Sequence, residues 1–375
     1  MLILAVATSL LAISLAMTGE AQTFPYPTPA NHLRVVTWNL EFFNDRFTKT
    51  QGAEQNRTSA ELDLLAQRIK DFDASVIALQ EIDQISALND LRNRMGGAWQ
   101  VYAGNVGAFP QQNALLYDAS RVDMLSAAYV YINTNFHLQL YPEWTYRSPV
   151  TAVFSPKGHS DEQFRVIGIH GHYNDANARD IQGYWLSSHL TNLLNNSNEP
   201  NLVVLLGDFN GAVPAAPHNG LISGGYLTNV AKRNGELTTI YSDLKLDYIY
   251  VTAAARMRLT DPTAFVVRPE YYGETGAQFE APYSDHLPVL IDYAIPQPNA
   301  PAITNSVLVG TNLVFGGTGS NGGGTYYVLA ATDIAAPLAN WLRLATNTFD
   351  ADGSFSVTNP VDPANGSQFL RLQVP

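Results

Sequence analysis

Cysteine is absent from this chain of 375 residues. Disulfides, zinc–thiolate centres and thiol nucleophiles are therefore excluded. Charge is also scarce: Asp, Glu, Lys and Arg make up 14% of the residues, and 21 Lys and Arg face 33 Asp and Glu, for a formal net charge of −12. That balance argues against a nonspecific nucleic-acid coat protein, which needs a basic face to displace counterions. It leaves room for an enzyme that touches a polyanion briefly, above all where bound metal supplies local positive charge. Beyond Met17 no apolar run is long enough to cross a membrane. Hydrophobic residues reach 46%, so an ordered protein of more than one domain is expected.

The N-terminus is the exception to this plainness. Leu2 to Met17 is almost unbroken apolar sequence, and Gly19-Glu20-Ala21 supplies small residues for cleavage before Gln22. Residues 1–21 read as a secretory signal peptide, although no Lys or Arg follows Met1. The competing reading, a membrane anchor, requires a longer run. A secreted, cell-surface or periplasmic protein is expected, with no stable membrane span once the signal is removed.

Strand-like runs outnumber helical ones. The strands are expected at Leu33–Leu40, Ser75–Leu79, Trp99–Ala103, Asn113–Tyr117, Ala127–Ile132, Tyr146–Phe154, Phe164–His170, Leu202–Leu206, Leu246–Val251 and Pro288–Tyr293. Thr58-Ser59-Ala60-Glu61 is a capping-box pattern, and Leu62, Leu65, Ile69 and Phe72 then share a helical face. Further helices are expected over Ile85–Met95 and Asp175–Leu194, the latter with Ile181, Trp185, Leu186, His189 and Leu193 roughly in phase. The pattern predicts an α+β fold: a two-sheet β-sandwich flanked by helices over residues 33–294. Pro-rich residues 295–301 read as a stiff linker. Residues 302–375 read as a small all-β module without chemistry of its own, with strands at Ser306–Phe315 and Thr325–Ala330.

Polar residues recur at the ends of the apolar strands of the larger domain. They are Trp38-Asn39, Gln80-Glu81, Arg147-Ser148-Pro149, His170-Gly171-His172, Gly207-Asp208-Phe209-Asn210, Leu246-Asp247-Tyr248 and Ser284-Asp285-His286-Leu287-Pro288-Val289. Singly, each has a plain explanation: a turn, a surface ion pair, a satisfied loop histidine. Together they hold the groups that phosphate-ester hydrolysis uses. Glu81, Asn39 and Asp285 offer hard oxygen donors for Mg²⁺ or Mn²⁺, with Ca²⁺ as a structural or auxiliary ion. His286 offers an imidazole that titrates near neutrality.

This ordered set resembles the endonuclease/exonuclease/phosphatase superfamily, the DNase I-like fold, from about Leu33 to Tyr293. The resemblance implies a metal-dependent phosphodiester hydrolase. Asn39, Glu81 and Asp285 would then be metal-site residues. Among the catalytic residues, Asp208 would handle the attacking water or the leaving group, Asn210 would hold a phosphate oxygen, and Asp247 would orient His286. The run Phe164 to Asp175 matches the DNase I pattern at His170, so His170 takes the catalytic place, while His172 and Asp175 fall to the substrate rim. Arg147 either contacts a phosphate or buttresses Glu81. Within the superfamily the His170–Asp175 segment resembles the DNase branch, which implies nucleic acid as substrate, with Arg46, Lys49, Arg57 and Arg179 as candidate contacts. A lipid or small-molecule phosphodiesterase of the same fold is the alternative, and a non-catalytic binding protein ranks last.

Overall fold

The computed structural model describes residues 28–29, 31–43, 47–49, 53–55, 57–104, 111–130, 147–213, 218–240, 243–295, 301–319, 323–361 and 367–374. The expected signal peptide, linker residues 296–300, Arg46 and the side chain of Lys49 lie outside them. The chain forms two compact units, divided between Ile295 and Pro296.

In chain order the first unit contains β1 (His32–Phe43), β2 (Phe47–Lys49), β3 (Ala53–Gln55), α1 (Ser59–Asp71), β4 (Val76–Ile82), α2 (Ile85–Met95), β5 (Trp99–Tyr102), β6 (Gln112–Asp118), β7 (Val122–Tyr129), β8 (Val150–Pro156), β9 (Phe164–His170), α3 (Ala176–Leu194), β10 (Val203–Asp208), α4 (His218–Ile222), β11 (Leu227–Asn229), β12 (Asp247–Thr252), β13 (Phe265–Val266) and β14 (Val289–Ala294). One six-stranded sheet has the order β13-β14-β1-β4-β6-β5, the other β11-β12-β10-β9-β8-β7. Within them β1 and β4 run parallel, as do β9 and β10, while the other neighbours are antiparallel.

The central strands β1, β4, β9 and β10 meet between the sheets. Val36, Leu79, Val166 and Leu206 are among the fully buried residues of that core. Strands buried on both faces read as near-continuous apolar runs rather than alternating ones, which is why these four stand out in the sequence. The capping box forms as expected: Glu61 N donates to Thr58 Oγ1 at 3.2 Å, and Thr58 N donates to Glu61 Oε2 at 2.6 Å. The α+β two-sheet sandwich is the observed fold.

Three expectations need correction. The strand expected at Ala127–Ile132 begins earlier, at Val122, because on this edge strand Asp123 and Ser126 face away from the core. In α3 the buried positions include Ala178, Gln182, Leu186 and Leu190 rather than Ile181 and His189, and Gln182 Oε1 accepts from the loop N–H of His172. The run Ser306–Phe315 is two strands, β15 (Ala302–Val309) and β16 (Asn312–Thr318), turning at Gly310 with φ 62°.

The second unit adds β17 (Thr325–Ala331), β18 (Leu342–Thr348), β19 (Ser354–Pro360) and β20 (Phe369–Gln373). Its two three-stranded sheets, β15-β16-β19 and β18-β17-β20, enclose Phe315, Tyr326, Val328, Phe349 and Phe355.

Candidate active site

Strand register brings the site together. Asp208 at the end of β10 pairs with His170 of β9 on one side and Asp247 of β12 on the other. In the facing sheet, Asn39 of β1 lies beside Gln80 of β4. Bulges follow Asn39 and Leu79, and Glu41, Phe42 and Glu81 take φ values of 44°, 49° and 59°. Bulges re-aim side chains at the end of a strand, and here they turn Glu81 toward Asn39. Close backbone approach accounts for two glycines of the motifs. A Cβ on Gly207, at φ 150°, would lie 2.0 Å from Ile169 O, and one on Gly171 would lie 2.5 Å from Phe209 O.

Asn39 is fully buried and joins the two halves. Its Nδ2 donates to Glu81 Oε1 and to Asp208 Oδ2, both at 3.0 Å, while its Oδ1 accepts from Glu41 N at 2.9 Å. The backbone donor fixes which end of the amide is oxygen. Asn39, expected among the metal-site residues, accepts from the backbone through its oxygen and positions two carboxylates through its nitrogen.

His286 Nδ1 lies 2.8 Å from Asp247 Oδ2, and its Nε2 lies 3.8 Å from Asp208 Oδ2. Burial opposes charge on this imidazole, but the carboxylates of Asp247, Asp208 and Asp285 outweigh it and hold the pKa well above the usual histidine range. The backbone is fixed as tightly as the ring. Trp38 Nε1 donates to His286 O at 2.9 Å, and Ser284 Oγ accepts from His286 N at 3.0 Å while donating to Asn39 O at 2.7 Å. Asp208 is 1% exposed, and burial pushes it up to about 7, with His286 opposing and Asp247 adding to the rise.

His170 is equally buried but electrostatically opposite. Burial lowers its pKa well below the usual value, and Arg147 and His286 push the same way. Arg147 Nη1 lies 3.4 Å from His170 Nε2. A guanidinium only donates, so Nε2 presents its lone pair, and it does so 3.7 Å from Glu81 Oε1 and 3.6 Å from Asp208 Oδ2. Nδ1 is buried without a hydrogen-bond partner among the described residues.

Glu81, His170 and Asp208 thus place one donor atom each within 4.8 Å of the others. Two carboxylate oxygens and an imidazole nitrogen this close together form a donor set that fits a divalent ion. Glu81 belongs to the expected metal set, and His170 and Asp208 stand beside it as further candidate donors. Asp285 stands beside this trio. Its Oδ1 is buried without a hydrogen bond, and burial followed by the charge of Glu81 raises its pKa against the pull of His286. Glu41 completes the acidic wall: its Oε2 accepts from Asp285 N at 3.2 Å, and burial, then Asp285, lifts it to about 7.

The remaining expected residues divide. Arg147 is at the site, bonded to Gln111 and next to His170. Asn210 donates through Nδ2 to Gly171 O at 3.1 Å, and its own N donates to Asp208 Oδ1 at 2.8 Å. Asp175 is corrected: its Oδ1 caps α3, accepting from Asn177 N and Ala178 N, so it is spent on the helix. His172 has its backbone N on Gln182 Oε1 and its Nδ1 on Asp175 N, a rim position away from the carboxylates. Two proposed nucleic-acid contacts are also structural. Arg57 is 6% exposed and donates to Leu40 O and Tyr283 O, each at 2.9 Å. Arg179 clamps His172 O and Tyr173 O at 3.0 and 2.9 Å.

The family model described as "Endonuclease/Exonuclease/phosphatase family" matches residues 36–286. The chain belongs to that family. Its members hydrolyse phosphoester bonds and typically depend on divalent metal. Solved members of the endonuclease/exonuclease/phosphatase fold align along most of their length. A Bacteroides vulgatus member is 17% identical, with a TM-score of 0.52 over 70% of this chain and 98% of that one. A mannosyl-6-phosphatase of Bacteroides thetaiotaomicron is 16% identical, with a TM-score of 0.48 over 69% and 98%. The human Nocturnin catalytic domain is 18% identical, with a TM-score of 0.49 over 71% and 95%. No curated protein matches the chain.

Sequence reasoning missed Glu41, Ser284, Gln182 and Thr238. Glu41 follows a motif closely and Ser284 opens one, which was a usable signal. Gln182 and Thr238, whose Oγ1 accepts from Asp247 N at 3.1 Å, act through backbone contacts that leave no pattern.

Proposed function

We propose that this chain is an exported phosphodiester hydrolase, dependent on Mg²⁺ or Mn²⁺, that cuts nucleic acid internally. The observation that carries the reading is the line Asp247–His286–Asp208 ending at the Glu81–His170–Asp208 trio.

Each residue has a task that follows from its surroundings. Asp247 fixes the ring of His286 through Nδ1, which aims Nε2–H at the space before Asp208. The raised pKa keeps that proton on the ring at neutral pH, where it donates to a non-bridging phosphate oxygen. Asp208, whose Oδ2 faces His286 Nε2, is placed to take a proton from the attacking water or to pass one to the departing oxygen. Asn39 and the backbone N of Asn210 hold the two oxygens of Asp208, so the carboxylate cannot swing away. Glu81, His170 and Asp208 would hold a divalent ion, with Asp285 facing it. Such an ion neutralises phosphate charge as it develops.

Nucleic acid as substrate is supported by the His170-Gly171-His172 segment and its likeness to the DNase branch. One observation favours a second reading, a smaller phosphoester such as a lipid headgroup. Arg57 and Arg179 are committed to backbone carbonyls and leave few cations for a long polyanion.

Nicking of supercoiled plasmid by the purified chain, with Mg²⁺, Mn²⁺ or EDTA, and by His286→Ala, tests the reading. Metal-dependent nicking lost in the variant supports it. Hydrolysis of bis(p-nitrophenyl) phosphate or release of phosphocholine without nicking transfers the site to the second reading.

A further inference from the structure

Behind the loop that carries Asp208 and Asn210 lies a buried histidine that this chemistry does not use. His218, the first residue of α4, is 1% exposed. Its Nε2 lies 2.8 Å from Gly211 O and its Nδ1 lies 2.5 Å from the hydroxyl of Tyr250. A carbonyl only accepts, so Nε2 carries the proton and Nδ1 accepts from Tyr250. Burial pushes the pKa down to about 4, with Lys232 and Arg179 adding and the Gly211 carbonyl opposing. The ring is neutral across the physiological range, in the one tautomer that both bonds require.

The surroundings make this more than a satisfied core residue. The imidazole stacks on Phe209 at 5.1 Å and meets Tyr248 edge-on at 4.7 Å. Phe209 sits between the two working residues of the loop, and Tyr248 follows Asp247. Tyr248 also accepts from Val213 N through its hydroxyl at 3.3 Å. The loop is therefore pinned on its far side at Gly211 and Val213, both by groups anchored to β12. Between these pins and the strand end, Asn210 holds φ at 51°, a conformation that persists where the surroundings fix it. A leucine would fill the same space as His218, but it would leave Gly211 O without its donor in a region that excludes water.

We propose that His218 is a positioning residue for the reaction, linking the Tyr250 hydroxyl to Gly211 O so that Asp208 and Asn210 are presented together to the phosphate. The inference rests on the reading of Asp208 and Asn210 as working groups. His218 itself touches neither substrate nor metal. Its effect passes through the loop backbone, where a shift of about 1 Å is enough to cost a hundredfold in rate.

Three variants test this in the full chain: His218→Leu, His218→Gln and Tyr250→Phe. His218→Leu is expected to lower kcat about 10- to 100-fold with KM nearly unchanged. His218→Gln keeps an N–H within reach of Gly211 O and should restore kcat to within about fivefold of wild type. Tyr250→Phe lowers kcat less, and adding it to His218→Leu should cost nothing further, as expected of two groups acting through one contact. Amide hydrogen exchange of residues 208–213 should quicken in His218→Leu, while β10 and β12 keep their protection.

A lowered Tm with wild-type kcat and wild-type exchange at 208–213 overturns the proposal. So does an equal loss in the Leu and Gln variants with additive effects of Tyr250→Phe. If Asp208→Asn leaves hydrolysis intact, the catalytic reading fails by itself, and the exchange measurement still decides whether His218 pins the loop. Should His218→Leu not fold, Tyr250→Phe, which removes a single oxygen, carries the same kinetic and exchange tests.

Discussion

His286 and Asp247 form a hydrogen-bonded pair that is closed to solvent on the Asp247 side and open toward Asp208 on the other. The Asp247 carboxylate is fully buried, and its backbone N is held by Thr238. The imidazole consequently has one orientation and one free nitrogen. Asp247→Asn should keep the fold but lose the charge that holds the proton on His286. The expected result is a fall in kcat of about 10²–10⁴-fold, measured with bis(p-nitrophenyl) phosphate at saturating metal. The high-pH limb of the kcat profile should move to lower pH, because the imidazole gives up its proton earlier without its partner.

Stability of the metal-free protein should fall as pH rises. Asp208 goes from an ordinary 3.8 to about 7 on folding, so between those values the folded chain keeps a proton that the unfolded chain has released. The contribution of such a group is fully present below pH 4 and is lost as pH climbs through 7. His286, raised on folding, acts in the same direction above its ordinary 6.5. Thermal melts in EDTA should therefore show a lower Tm at pH 8 than at pH 6. Asp208→Asn should shrink the difference; a variant with an unchanged slope would assign the effect to other groups.

A divalent ion should reverse that loss. Binding to the folded state alone adds RT ln(1 + [L]/Kd), about 2.7 kcal/mol at a hundredfold excess over Kd. Titrating Mn²⁺ into the EDTA-treated protein at pH 8 should raise Tm in a concentration-dependent way. Glu81→Gln and His170→Ala, which remove donors of the trio, should each weaken the rise. Retention of the full shift in both variants would place the ion elsewhere.

The likeness of Arg57 to a DNA contact is removed by its burial. Its guanidinium ties the end of β1 to Tyr283, just before Ser284-Asp285-His286, and lies over Phe43 at 4.8 Å. Arg57→Ala should cost about 2–4 kcal/mol of stability in urea unfolding, because it leaves two buried carbonyls without a donor. A change in DNA affinity with unchanged stability would restore the contact reading.

Legibility followed distance from the strand ends. Asp208, Asp247, His170 and His286 were readable because each terminates or adjoins an apolar run, and strand register then sets three of them side by side. Glu81 was readable for the same reason, although its orientation depends on bulges that leave no periodic mark. Asn39 was found, but its hold on two carboxylates was not, because a sequence does not say which end of an amide faces them. Asp175 looked like a site residue since a cap and a ligand share the same chemistry: a carboxylate at a helix start. Gln182, Thr238 and His218 stayed hidden, since each acts on backbone groups that any residue possesses.

The bond from Trp38 to His286 spans 248 positions of chain, and that from Ser284 to Asn39 spans 245. Synthesis at about 5–20 residues per second separates the two ends of this clasp by roughly 12–50 s. Throughout that interval the emerging polypeptide holds Asn39 but lacks His286, the imidazole that bridges Asp247 and Asp208. A chain cut short before His286 lacks one residue at the far end of that clasp, and one cut before Ser284 lacks both. The loop just before β14 therefore closes the site from the far end of the first unit.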